Sequence, residues 1–193
     1  MQSSQKTHPD MRVKGGLPRA RFLFVALNHG PDAWRRSLAR LAEEDRLALA
    51  EIDIEKWYSL DLLDRLDRAV AQELGRSEEE TFTALGEFSA TTSLSGPFAS
   101  LLSTDIHSFL SQSSLIHHSY QNFGAAKYGA LSDTSGLLTI QYETAPPASF
   151  CISGASYFRK AVELCGARSA QVTHARCTAR GDAVCEFYIT WQK

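Results

Sequence analysis

The C-terminal segment Arg168-Ser-Ala-Gln-Val-Thr-His174-Ala-Arg-Cys177-Thr-Ala-Arg-Gly181-Asp-Ala-Val-Cys185-Glu-Phe-Tyr-Ile-Thr-Trp191 decides how this chain folds. Ala183, Cys185, Phe187, Ile189 and Trp191 alternate, which places them on one face of a strand and makes that face the buried one. A second apolar-polar stretch over 168–177 precedes it, and Arg180-Gly181-Asp182 supplies the turn. The segment therefore reads as a terminal β-hairpin, with two cysteines facing each other near its closed end.

That placement has chemical content. Cys177 and Cys185 sit on opposite arms of one turn, so bringing their thiols together is a local event, and His174 adds a nearby nitrogen. Zinc takes four such donors in a tetrahedron, with sulfur at about 2.3 Å and imidazole nitrogen at about 2.0 Å. A fourth donor is available upstream, where a helix expected over 149–165 puts Cys151, Ala155, Phe158, Val162 and Cys165 on one face and stops at Gly166. Cys151 and Cys165 are separated by about 21 Å of helix at 1.5 Å per residue. Only one of them reaches a common ion, and Cys165, in the last turn, suits a core position. The expected metal set is Cys151, His174, Cys177 and Cys185. His174 and Cys177, three apart, would point to opposite faces of a regular strand, so the set requires a bulge or early turn near Ala175. On spacing alone, core thiols are an equal reading of these cysteines. A closed set of four protein ligands would make the site structural, with no open position for water.

Outward from this segment, Tyr128–Leu131 and Leu137–Tyr142 read as a first hairpin around Ser132–Gly136. The N-terminal half reads as helices. Pro31-Asp32 opens one with Trp34, Leu38 and Leu41 inward; Ser59 caps a second with Leu62, Leu63, Leu66 and Val70, ending at Gly75; and Ser77 caps a third with Phe82, Leu85 and Phe88. The segment from Ser93 to Phe98 breaks that helix, and Thr104-Asp105 starts another, which serines 111, 113 and 114 interrupt before a restart at Leu115. The plan is α+β: N-terminal helices packed on an antiparallel sheet of two hairpins with an intervening helix. Residues 1–16 lack apolar periodicity and are expected to form a flexible leader, followed by a single domain over 17–193.

The 193 residues carry a net charge of −2 and 44% apolar residues, with no basic excess to attract phosphate, which argues against nucleic acid as a partner. No run approaches the roughly 18 apolar residues of a membrane span, and the N-terminus lacks the apolar stretch of a secretory signal, so a cytoplasmic location with reduced thiols is expected. No nucleophile elbow, phosphate loop or dinucleotide fingerprint occurs, so the chain is expected not to be an enzyme. His107, His117 and His118 invite a haem or metal reading, but adjacent histidines on a helix diverge by about 100° and do not chelate.

The stretch from Ala148-Ser149-Phe150-Cys151 through Gly154 and Ser156 to His174-x-x-Cys177 and Cys185 resembles the 4-vinyl-reductase-like ligand-binding domains, more distant relatives of which include haem nitric-oxide-binding domains and Golgi transport-particle subunits. In zinc-bearing members the pattern is a cysteine, a Glu-x-x-Cys and a second cysteine after seven residues. Cys151, Cys177 and Cys185 match those cysteines and His174 stands at the glutamate, an exchange zinc tolerates. Val13-Lys14-Gly15-Gly16, Lys56-Trp57-Tyr58 with Leu60 to Leu66, and Leu164-Cys165-Gly166-Ala167 resemble, over roughly residues 13–191, a group of proteins from myxobacteria-like organisms, which brings no activity with it. The resemblance implies a sensory or regulatory domain with a structural zinc and a pocket between helices and sheet for a small apolar or aromatic molecule, commonly as a homodimer. Trp57, Tyr58, Phe98, Phe109, Tyr120 and Phe158 are candidate lining residues for such a pocket and equally candidates for core. Two other readings stand beside it: an adaptor subunit acting through a helical face, and a haem- or tetrapyrrole-related accessory protein. The haem relatives carry a Tyr-x-Ser-x-Arg motif, which Ser156-Tyr157-Phe158-Arg159 does not reproduce.

Overall fold

The computed structural model describes residues 10–193. Strand β1 (Arg12–Lys14) leads into helices α1 (Gly16–His29), α2 (Pro31–Ala39) and α3 (Glu43–Leu49), then strand β2 (Trp57–Ser59) and helices α4 (Leu60–Leu74) and α5 (Glu78–Leu94). A single 3₁₀ turn at Ala99–Leu101 precedes α6 (Ile106–Tyr120), which is followed by strands β3 (Ala125–Ser132) and β4 (Ser135–Gln141), helix α7 (Ala148–Leu164) and strands β5 (Ser169–Arg176) and β6 (Cys185–Gln192). The last four strands form one antiparallel sheet in the order β3-β4-β6-β5, and β1 pairs with β2 in a separate two-stranded ribbon. The α+β plan holds.

Local chemistry sets most boundaries. The Ser59 hydroxyl accepts from the Leu62 N–H, 3.1 Å away, and Gly75 closes α4 in the left-handed conformation. Ser77 and Glu80 form a reciprocal capping box at the start of α5. Asp105 caps α6, which runs unbroken through its serines; Ser113 returns its hydroxyl to the Phe109 carbonyl at 3.0 Å, satisfying itself on the helix instead of breaking it. The expected leader over 1–16 falls partly among the described residues. Residues 1–9 lie outside the described residues, but Val13 in β1 is fully buried and pairs with Tyr58. An apolar side chain with a cross-strand partner orders a segment too short to show periodicity.

The interior falls into two clusters. One lies between the sheet and α6, α7 and the end of α5; the other holds α1, α2 and α4 together with the ribbon. Their seam is the crossing of α5 and α7, where α7 presents the small, buried residues Ser149, Ser153 and Ser156. Gly86 of α5 lies so close to the Ser153 carbonyl that a methyl group there would run into it. Arg21 of α1 spans the same seam: its guanidinium donates to both carboxylate oxygens of Asp67 (3.0 and 3.1 Å), to Ser89 (2.9 Å) and to Ser153 (3.2 Å), tying α1 to α4, α5 and α7.

Candidate metal centre

Four donors converge beneath the closed end of the β5–β6 hairpin. Cys151 comes from the first turn of α7, His174 from β5, Cys177 from the residue just past β5, and Cys185 from the first residue of β6. Their ligand atoms all lie within 4.8 Å of one another, the three cysteines are buried, and His174 is half-buried. A tetrahedral zinc site with these donors has ligand–ligand edges of roughly 3.5–3.8 Å, so an ion need draw the set in by only about 1 Å.

The register shows how the strand delivers both His174 and Cys177. His174 pairs with Phe187 and Arg176 with Glu186, leaving Ala175 as an extra residue in β5. This bulge cancels the opposite-face alternation that a regular strand would impose. The His174 ring stacks on Phe187 with centroids 4.2 Å apart and planes 16° from parallel. Its Nε2 is buried without a hydrogen-bond partner, an arrangement that costs energy unless the lone pair is used.

Around the sulfurs the backbone is arranged as for anions. The Thr178 N–H points at Cys185 Sγ from 3.4 Å, and the Thr178 hydroxyl approaches it at the same distance. Asp182 accepts from the Cys177 N–H at 2.7 Å and returns its own N–H to the Cys177 carbonyl at 3.1 Å, locking the turn. A hydrogen bond from the Cys151 thiol holds Cys185 down at about 4, while the same bond and burial push Cys151 far up. Crowded buried thiols divide their protons in this way, and a cation removes the conflict by accepting all of them as thiolates. With three thiolates against a dication the occupied site would carry one negative charge. Cys165 caps the far end of α7, outside the cluster. Thr178, Asp182 and Phe187 belong to the surroundings of the site although their sequence pattern gave no sign of it.

No protein-family model matches the chain, and no curated protein is similar to it. Solved structures are. An H-NOX protein from S. oneidensis in the Fe(II)NO ligation state matches with a TM-score of 0.75 at 18% identity, over 93% of this chain and 99% of that one. The fold is that of the H-NOX proteins. Unliganded Fe(II) H-NOX from K. algicida matches with a TM-score of 0.71 at 11% identity, over 93% and 97% of the two chains. A further match, from work on haem redox potential and porphyrin distortion, has a TM-score of 0.67 at 13% identity and covers 93% and 99%.

Residues of this chain do not fit a haem between helices and sheet. Leu94, Phe109, Leu110, Leu138, Ile140, Phe187 and Ile189 occupy that interior, each at most 4% exposed. A site for a ligand of that size takes about 300–1,000 Å³. His107 Nδ1 is engaged with the Tyr128 hydroxyl at 2.6 Å and its ring meets the Trp191 ring edge-on; His117 Nε2 lies 3.0 Å from the Phe123 carbonyl; and His118 is exposed. The candidate pocket aromatics also separate: Phe109 is core, Phe98 lies against Tyr120, and Phe158 lies against Phe187. Trp57 and Tyr58 instead line a surface cleft of about 650 Å³ beside α3.

Proposed function

We propose that the chain is a non-enzymatic sensory or regulatory module that uses the H-NOX fold without haem, and that zinc bound by Cys151, His174, Cys177 and Cys185 braces its C-terminal half. The observation that carries this reading is the convergence of three buried sulfurs and one unpartnered imidazole nitrogen within 4.8 Å, with a bulge at Ala175 between His174 and Cys177. All four positions of the tetrahedron are filled by protein, so the metal stabilises and does not activate water. The brace pins the start of α7 to the β5–β6 turn, which no strand pairing joins. A cytoplasmic location follows from the reduced thiols the site needs, and no helix among the described residues is long and apolar enough to cross a membrane. Residues 17–193, with β1 paired onto them, are taken as one domain, functioning as a homodimer and responding to a small apolar molecule.

Native mass spectrometry of the purified chain tests the reading. One zinc per chain and no haem are expected, and replacement by cobalt(II) should give the visible bands of a tetrahedral sulfur-rich site. The likeness to iron-bearing H-NOX structures favours a second reading, a haem sensor. A Soret band in the purified or haemin-supplemented protein, lost on replacing His107 by Ala, would establish that reading in place of the first.

A further inference from the structure

A phenol is buried without a partner at the margin of the sheet-side interior. Tyr120, the last residue of α6, has its hydroxyl oxygen sealed from solvent and out of hydrogen-bond reach of any polar group among the described residues. Burial raises its pKa far above the ordinary phenol range, so at any physiological pH the group is a proton donor. Leaving such a donor unpaired costs its desolvation and returns nothing. The two groups that act on it, Ser93 of α5 and Tyr157 of α7, are neutral and matched to each other. Ser93 donates to the Ala90 carbonyl at 3.3 Å, which leaves its oxygen to accept from the Tyr157 hydroxyl, 3.2 Å away. Of the three hydroxyl protons gathered here, the one on Tyr120 is surplus, and the cluster lacks an acceptor.

What closes the site is thin. The Phe98 ring lies on the Tyr120 ring with centroids 4.6 Å apart. Phe98 belongs to the strap of residues 95–105 between α5 and α6, in which Phe98, Leu101 and Ser103 are half-buried and the rest are exposed. Phe98 and Leu101 pack against the sheet-side core, so the wall facing the cluster is apolar. Among the described residues, the backbone-to-backbone bonds donated by residues 95–102 run within the strap or to the end of α5, and none reaches a strand. A segment held by its own turns and two apolar side chains opens at less cost than the elements beneath it.

We propose that the Tyr120 hydroxyl donates to the carbonyl oxygen of a small, neutral, mostly apolar molecule that enters beneath residues 95–105 and is covered by Phe98. The inference rests on the reading of the chain as a module responding to a small apolar molecule, and adds to it the place and the chemistry of recognition. Zinc takes no part in it.

The test uses the full zinc-loaded chain and two probes of matched shape, acetophenone and isopropenylbenzene, which carries a C=CH2 group where acetophenone carries its C=O. Saturation-transfer NMR titrations give a Kd for each. Tyr120→Phe should weaken acetophenone binding at least about fivefold and leave isopropenylbenzene within about twofold of its wild-type value. Without any probe, Tyr120→Phe should melt at or above the wild-type temperature, because the substitution deletes an unpaired group and no contact. Acetophenone binding that Tyr120→Phe does not change overturns this site and leaves the module reading standing, since the probe then sits elsewhere. Equal weakening of both probes, or a melting temperature lowered by more than about 3 °C, overturns the donor role, because the hydroxyl would then have a partner within the fold. If neither compound binds the wild-type chain at millimolar concentration, the site and the apolar-molecule reading fall together.

Discussion

Replacing Arg21 by Met should destabilise the protein more than any other single change away from the metal centre. The Arg21 and Asp67 side chains are each 2% exposed, and their two hydrogen bonds are parallel and bidentate. Burial alone pushes the Asp67 carboxyl up, and Arg21 is the main force opposing that rise. Removing one member of such a pair costs about 3–5 kcal/mol, because the other is left as an uncompensated buried charge. For a chain of this size 1 kcal/mol corresponds to roughly 2–4 °C, so the melting temperature should fall by about 6–20 °C. The pH dependence gives a second readout. Without Arg21, Asp67 has a folded pKa above its unfolded value near 3.9, so the folded state binds the extra proton; stability is retained below that value and lost as pH rises. The deficit of the variant should therefore shrink towards pH 4. The Arg21→Met/Asp67→Leu double variant should recover most of the loss, since an apolar pair of similar volume needs no compensation. Thermal and urea unfolding followed by circular dichroism measure all of this. Single variants within about 1 kcal/mol of wild type, with no pH slope, would refute the reasoning.

Gly86→Ala should be poorly tolerated, since its methyl group meets the Ser153 carbonyl and forces α5 and α7 apart; a loss of about 2 kcal/mol or more in urea unfolding is expected, while Gly129→Ala, which meets nothing within 4 Å, should cost much less. His117 has its pKa lowered, chiefly by burial, so the unfolded chain takes up its proton first and stability should decline as pH drops below about 6.5. Histidine NMR titration should show that low value directly, and His117→Gln should flatten the decline; an ordinary titration near 6.5 would contradict it.

Legibility followed the length of the pattern. The terminal hairpin, α7 and the capped helices α4 and α5 could be read because alternation, caps and glycine stops repeated over many residues, and even the bulge at Ala175 followed from where His174 and Cys177 had to point. Helix α1 escaped because Phe22, Leu23, Phe24, Val25 and Ala26 form a continuous apolar run with no polar face, and such a run has no period to detect. Strands β1 and β2 have three residues each, too few for alternation. Arg21 carries no signal of its own in the sequence, because its meaning depends on Asp67, 46 positions away. The metal donors were legible as residue types, but their convergence also needed Cys151, 23 residues upstream of His174, and only tertiary structure brings it there. A ligand pocket between helices and sheet, implied by resemblance, was a statement about filling, and filling is decided by side-chain volumes that no motif records.

Zinc content, measured by elemental analysis on the purified chain and on single cysteine variants, tests the central claim most directly. The account predicts about one zinc per chain in the wild type and in Cys165→Ala, and close to none in Cys151→Ser, Cys177→Ser and Cys185→Ser, each with a lowered melting temperature that chelation reproduces in the wild type. Metal-free wild-type protein that melts at the same temperature with and without added zinc would contradict it, and the four donors would then be core thiols beside a stacked histidine.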